Sequence, residues 1–242
     1  MRKIKFLKGN IYHIFNRGVE KRNIFLNDSD RWRFLQGLFL FNDENTSLNL
    51  LWQVEREKGR ANFKTLQEFI GDNQIKRKPL VRIMADCLMP NHFHLLIEEI
   101  NNGGISRFMH KLGIGYTEYF NKKYGRVGGL FQGAFRASQI TDELYLKYLL
   151  IYINIINPGQ LIEPKLKEKG ISDAEEIMKF AENYLWSTNQ EYLDRRNSII
   201  IEKGMMGQFF PGPIEYGKFA RDILSGKESD IAEDKINRLT LE

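Results

Sequence analysis

The sequence predicts an α+β fold, a four-stranded antiparallel sheet with helices on one face, followed by a helical C-terminal extension. Three observations predict it. Short runs rich in β-branched and aromatic residues recur around residues 11–15, 81–88 and 92–97. Longer stretches between and after them place apolar residues at helical spacing. The resulting order, β-α-β-β-α-β-α, begins with the six elements of the ferredoxin-like split βαβ pattern.

Each element has its own signal. Ile11-Tyr-His-Ile-Phe15 reads as a strand that closes at Asn16-Arg17-Gly18. Asp28 or Ser29 caps a helix whose apolar positions are Trp32, Leu35, Leu38 and Phe39. Residues from about 42 to 78 are polar and mixed and read as an insertion, with a short helix at Phe63 to Ile70. Val81 to Leu88 and His92 to Ile97 flank Met89-Pro90-Asn91 and form a hairpin. After Asn101-Asn-Gly-Gly104, Phe108, Leu112, Tyr116 and Phe120 mark a helix from Ile105 to Tyr124. Leu130 to Ile140 is strand-like. Thr141 then heads a helix through Tyr145, Tyr148 and Tyr152, expected to stop before Pro158, since the residue preceding proline disfavours helix. Two regions follow: residues 1–158 as the main domain, and 159–242 as a mostly helical, acidic extension.

Composition narrows the function classes. The 242 residues carry a net charge of +5, and no run approaches the roughly 18 apolar residues of a membrane helix. The basic N-terminus lacks the apolar run of a secretion signal, and the single cysteine, Cys87, fits a reducing compartment; a cytoplasmic location is expected. The charge is unevenly placed. Arg2, Lys3, Lys5, Lys8, Arg17, Lys21 and Arg22 face Glu20 alone, and Arg107, Lys111, Lys122, Lys123, Arg126 and Arg136 face Glu118 alone. Two such blocks suggest a polyanion partner, against the plainer reading that basic helices are simply soluble.

The histidines carry the chemistry. His92 and His94 stand two apart on a strand, so both imidazoles project from one face, suited to two nitrogen ligands of one divalent metal. A pair of polar residues on a solvated sheet face is the plainer alternative. The pair follows a Pro-Asn turn and runs directly into Leu95-Leu-Ile97, which favours a site.

Met89-Pro-Asn-His-Phe-His-Leu-Leu-Ile-Glu98 resembles the His-hydrophobic-His (HUH) motif of single-tyrosine transposases of the insertion-sequence-200 type, and more closely their REP-associated branch. Three further segments agree: Tyr12-His-Ile-Phe-Asn-Arg-Gly-Val-Glu-Lys-Arg-Asn-Ile-Phe25, Gly129-Leu-Phe-Gln-Gly-Ala-Phe-Arg136 and Tyr152-Ile-Asn-Ile-Ile-Asn-Pro158. The resemblance covers about residues 11–158, and more loosely Trp186-Ser-Thr.

The resemblance implies a metal-dependent nuclease and strand transferase acting on single-stranded DNA beside a hairpin. His92 and His94 would hold Mg2+ or Mn2+, and Tyr152 would form a 5′-phosphotyrosine. In the family a polar residue one helical turn after the tyrosine completes the metal shell. Here Tyr152 plus four is Ile156, and Asn157 comes one residue late. A π-bulge would bring positions i and i+5 back onto one face; Asn154 or water are the alternatives to Asn157. Tyr148 is the fallback nucleophile, and core packing is the plainer role for any of these tyrosines.

Arg17, Lys21 and Arg22 suit phosphate contact, although each alone reads equally well as a solvated turn. Phe131, Gln132 and Arg136 combine a stacking surface, a base-edge donor and acceptor, and a cation, which suits unpaired bases; Phe131 reads equally as core. His13 reads as structural or as a DNA contact, His110 as solvated, and Cys87 as a buried strand residue. A runner-up function is a domesticated hairpin-binding protein with weak or lost cleavage. A plain RNA-binding ferredoxin-like module lacks its paired aromatic strand motif. The extension inclines the expected assembly toward a monomer, with a homodimer as the alternative.

Overall fold

The computed structural model describes residues 4–45, 50–59, 62–73, 76–166 and 170–226. Arg2 and Lys3, parts of the 42–78 insertion and the last stretch of the extension lie outside them. Four strands, β1 (Ile11–Arg17), β2 (Val81–Met89), β3 (His92–Glu99) and β4 (Arg136–Ile140), form one antiparallel sheet in the order β2-β3-β1-β4. This is the arrangement the split βαβ order requires, with the first and third strands at the centre.

Strand alternation divides the sheet cleanly. Tyr12, Ile14, Phe93, Leu95 and Ile97 point to one face, where helices α1 (Asp28–Leu40) and α4 (Gly104–Tyr124) cover them with Phe34, Leu38, Phe108, Leu112 and Tyr116. These are the helices expected on one face. The opposite face, from Ile11, Ala85, Cys87 and Leu96, packs under α5 (Glu143–Ile151) and the C-terminal extension. A β-bulge at Met84 switches the parity of β2, so Ile83 faces α1 and α4 while Ala85 and Cys87 face the other way.

Several boundaries differ from expectation. Asn27 caps α1 through a capping box with Asp30, so Asp28 and Ser29, expected as caps, are the first two helical residues. Asp142, not Thr141, caps α5. Among its described residues the insertion holds two helices, α2 (Leu50–Lys58) and α3 (Phe63–Asp72), of which only the second was expected. The strand expected over residues 130–140 is confined to Arg136–Ile140; residues 130–135 form a loop tied to β1 instead. At the head of α4, the buried Glu99 carboxylate accepts the N–H groups of Gly103, Gly104 and Ile105, supplying negative charge where the helix dipole is positive.

The extension contributes α6 (Ala174–Asn183), α7 (Asn189–Tyr192), α8 (Met205–Phe209) and α9 (Pro213–Leu224). It also covers the β2 edge. Leu88 N–H donates to Trp186 O, Thr188 N–H to Asp86 O, and Glu202 N–H to Ile83 O. An edge strand that would otherwise offer unpaired backbone groups is closed by the chain's own tail.

Candidate active site

Adjacent antiparallel strands place Phe15 opposite His94 and Arg17 opposite His92. Residues 13 and 15 of β1 therefore share a face with residues 92 and 94 of β3. His13 Nε2 lies 2.8 Å from His94 Nδ1, with the two rings nearly parallel at 13°. His92 meets His94 edge-on, ring centres 5.0 Å apart, and its Nδ1 lies 2.7 Å from Asn91 Oδ1. Phe15 stacks on both His13 and His94. His13 is fully buried.

Tyr152 comes to the same place from the helix above. Its ring centre lies 5.6 Å from that of His94 and 6.4 Å from that of His13, both edge-on. The ring is completely buried. Residues Tyr152–Ile156 are π-helical, and Asn157 N–H donates to Tyr152 O, an i to i+5 bond. The extra residue before Asn157 is thus absorbed as a widened turn. The helix does not stop before Pro158: Asn157–Gly159 remain helical. The widened turn accommodates the proline ring, and the Asn154 carbonyl four residues back accepts Ser187 Oγ at 3.4 Å instead of a proline N–H.

Asn157 is buried, and its Oδ1 accepts from Gln160 Nε2 at 3.0 Å. Its amide nitrogen is buried with no hydrogen-bond partner among the described residues. Asn154, the alternative ligand, is committed elsewhere. Its Oδ1 accepts from Thr188 Oγ1 at 2.7 Å, its Nδ2 donates to Tyr216 Oη, and Tyr216 in turn donates to Asn189 Oδ1. This buried network pins the extension to the tyrosine helix. Tyr148 is also buried, which pushes its phenol well above the ordinary range.

Beside the histidines a cavity of about 280 Å³ opens to solvent, lined by Arg17, Lys21, His92, Gln132 and Arg136. Four of the expected DNA-binding residues meet here with one histidine of the pair. Arg17 Nε donates to Gln132 Oε1 at 2.5 Å, and Gln132 N–H to Arg17 O at 2.9 Å, locking the two loops together. Gly18 N–H donates to Asn91 O, and Asn91 Nδ2 to Lys21 O. A side chain at Gly18 would place its Cβ 2.1 Å from Arg22 O, so the Asn-Arg-Gly turn admits glycine alone. Glu20 and Lys21 both adopt positive φ, 54° and 59°, a strained backbone at the cavity mouth.

Two expected contacts fall elsewhere. Arg22 does not line this cavity; it pairs with the exposed Glu20. Phe131 packs edge-on against Phe93 and lines a separate cleft of about 490 Å³ with Met109 and Phe135. Asn16 lines both, so the cleft and the cavity share a wall. His110 is exposed on the cleft's rim, and Cys87 is buried opposite His94 in register.

No described helix is long and apolar enough to cross a membrane. Residues 52–155 match the family model described as transposase IS200 like, a segment that contains His92, His94 and Tyr152. The resemblance read from the motifs thus holds over that segment. No curated protein matches the chain. Among solved structures, the chain is similar to a REP-associated tyrosine transposase bound to a REP hairpin, with a TM-score of 0.45 and 14% identity over 84% of this chain and 90% of that one. It is also similar to tRNA(His) guanylyltransferase from Saccharomyces cerevisiae, with a TM-score of 0.34 and 9% identity over 77% of this chain and 76% of that one.

Proposed function

We propose that the chain is a metal-dependent single-stranded DNA endonuclease and strand transferase, with Tyr152 as its nucleophile. The observation that carries this reading is the packing of Tyr152 against His94, with His92 next to it opening into the basic cavity.

The histidine pair suits a divalent cation, Mg2+ or Mn2+. Asn91 Oδ1 can only accept, so His92 carries its proton on Nδ1 and its lone pair on Nε2, the form an imidazole ligand needs. Asn157, on the tyrosine helix, is the third candidate ligand through its Oδ1, which Gln160 would have to release. Among the described residues no group of three or more His, Cys, Asp or Glu could hold a metal ion, so amide, water and phosphate oxygens would complete the shell. When bound, the cation polarises a phosphoryl oxygen of the scissile phosphate.

The chain's own groups do the rest. Arg17, Lys21 and Arg136 hold the phosphate backbone at the cavity. The aromatic cleft across Asn16, with Phe131 on its wall, takes an unpaired base. The Tyr152 oxygen attacks phosphorus, the bond to the 3′-oxygen breaks, and that oxygen leaves as a 3′-hydroxyl carrying the phenol's proton. The 5′-phosphotyrosine keeps the phosphodiester bond energy, so another 3′-hydroxyl can reverse the step. A DNA hairpin with a single-stranded flank is the substrate the motif resemblance implies.

Complete burial of Tyr152 favours a second reading, a hairpin-binding protein without efficient cleavage. A labelled hairpin with a single-stranded flank, mixed with protein and Mn2+ and run on a denaturing gel, decides between them. The enzyme reading expects a covalent adduct with wild type and Tyr148→Phe, and none with Tyr152→Phe, which still binds the hairpin. Tight hairpin binding without any adduct in Mg2+ or Mn2+ selects the second reading.

A further inference from the structure

We infer that His13 is a positioning residue for His94: its Nε2 accepts the Nδ1–H of His94 and fixes the tautomer in which His94 presents its lone pair on Nε2. The inference rests on the metal reading above and extends it to a residue outside the His-hydrophobic-His motif.

Two imidazole nitrogens 2.8 Å apart satisfy each other only if one donates and the other accepts. If His94 is to bind a cation through Nε2, it must be neutral with its proton on Nδ1, and His13 Nε2 must then be the acceptor. His92 has the equivalent partner in Asn91 Oδ1, at 2.7 Å. Each histidine of the pair is therefore held at Nδ1 by a second residue, one from the preceding turn and one from the neighbouring strand.

The surroundings give His13 little freedom to do anything else. It is fully buried on a central strand, its ring stacked on Phe15 at 5.0 Å and met by the edge of Tyr152. Its Nε2 is turned to His94, so it is placed as a support and not as a further ligand. The near-coplanar, edge-to-edge arrangement of the two rings also sets the plane of the His94 imidazole, and hence the direction of its Nε2 lone pair.

The test is Mn2+ binding by the full-length protein, read by electron paramagnetic resonance of free Mn2+, with hairpin affinity in EDTA measured in parallel. His13→Gln keeps an acceptor oxygen; His13→Leu keeps bulk and removes it. Loss of such an outer partner weakens metal binding about 10–100-fold. That loss is expected for His13→Leu, with His13→Gln recovering most of it and hairpin affinity in EDTA unchanged in both. A purely structural role would instead lower thermal stability in both variants without moving Mn2+ affinity, and would overturn the inference. Nitrogen-15 NMR of the wild type decides the matter even if His13→Leu does not fold: a proton on His94 Nδ1 supports the inference, and one on Nε2 overturns it. Wild type that binds the hairpin but no Mn2+ removes the metal reading itself, and the inference with it; wild type and His13→Leu binding Mn2+ equally removes the inference alone.

Discussion

The buried cluster of His13, His94 and Tyr152 and the open cavity of Arg17, Lys21 and Arg136 lie side by side, yet they are built on opposite principles. In the cluster the groups are buried rings, and geometry is fixed by strand register and ring packing. In the cavity, charge is concentrated at the ends of β1 and β4 and on the turn after β1, and backbone hydrogen bonds to neighbouring loops hold that turn in place. On the proposed function, the first region serves chemistry at a single atom and the second attraction to a chain of phosphates. His92 is the residue that belongs to both, edge-on to His94 and lining the cavity.

That division predicts a separation of effects, and the largest lies in the cluster. A cation acting on the phosphoryl group is worth several kcal/mol, so His94→Gln should slow adduct formation by on the order of 10³. Hairpin affinity in EDTA should change little, because His94 is buried and does not line the basic cavity. His92→Gln should lose cleavage to a similar degree and weaken hairpin binding as well. Equal binding losses for both variants, measured by filter binding, would erase the boundary between the two regions.

A smaller effect is expected in the cavity. Replacing Arg17, Lys21 and Arg136 together by Ala should lower hairpin affinity and flatten the slope of log affinity against log salt. At about 0.7 per phosphate contact on single strands, the change should approach ~2. Arg22→Ala should move the slope far less, since Arg22 is outside the cavity and paired with Glu20. A slope that responds to Arg22 and not to the other three would place the DNA path on the outer side of the turn.

The same contrast separates what the sequence made legible from what it did not. Period-2 alternation in β1 and β3 identified the face of His92 and His94, because alternation is a local property of the backbone. The π-helical turn was legible too, as a one-residue excess between Tyr152 and Asn157. The role of His13 was not, since its partner is 81 residues away and only strand register brings them together. Arg22 and Arg136 look alike in sequence; pairing with Phe15 across the sheet brings Arg136 to the cavity, and that long-range register has no local signature. Pro158 misled for a physical reason: the rule against helix before proline assumes regular α-geometry, and the widened turn departs from it. Asn154, two residues after Tyr152, was a reasonable ligand until the extension's Thr188 and Tyr216 occupied its amide.

The last expected effect is on stability and not on DNA, and it compares the sheet's two sides through two buried aspartates. Asp30, under α4, is held below the ordinary carboxylate value of 3.8: burial opposes this, but bonds from Lys123, the Leu26 N–H, Tyr124 and Tyr119 outweigh it. Its stabilisation is present above 3.8 and is lost as pH falls below that value. Asp86, on the β2 edge under the extension, goes the other way. Burial first, and then the Glu191 charge, push its carboxyl up to about 7 against the opposing pull of Arg196. Between about 4 and about 7 the folded protein keeps a proton that the unfolded chain has released, so Asp86 makes stability fall as pH rises through that window. The two windows do not overlap. Asp86→Asn should therefore remove a downward slope in thermal stability between pH 4 and 7, and should leave the acid limb below 3.8 unchanged. Thermal unfolding followed by circular dichroism across pH 3 to 8, read as the difference between wild type and Asp86→Asn, checks this directly. A difference that stays flat from pH 4 to 7 would show that Asp86 ionises normally, and that the extension does not seal the β2 edge from water.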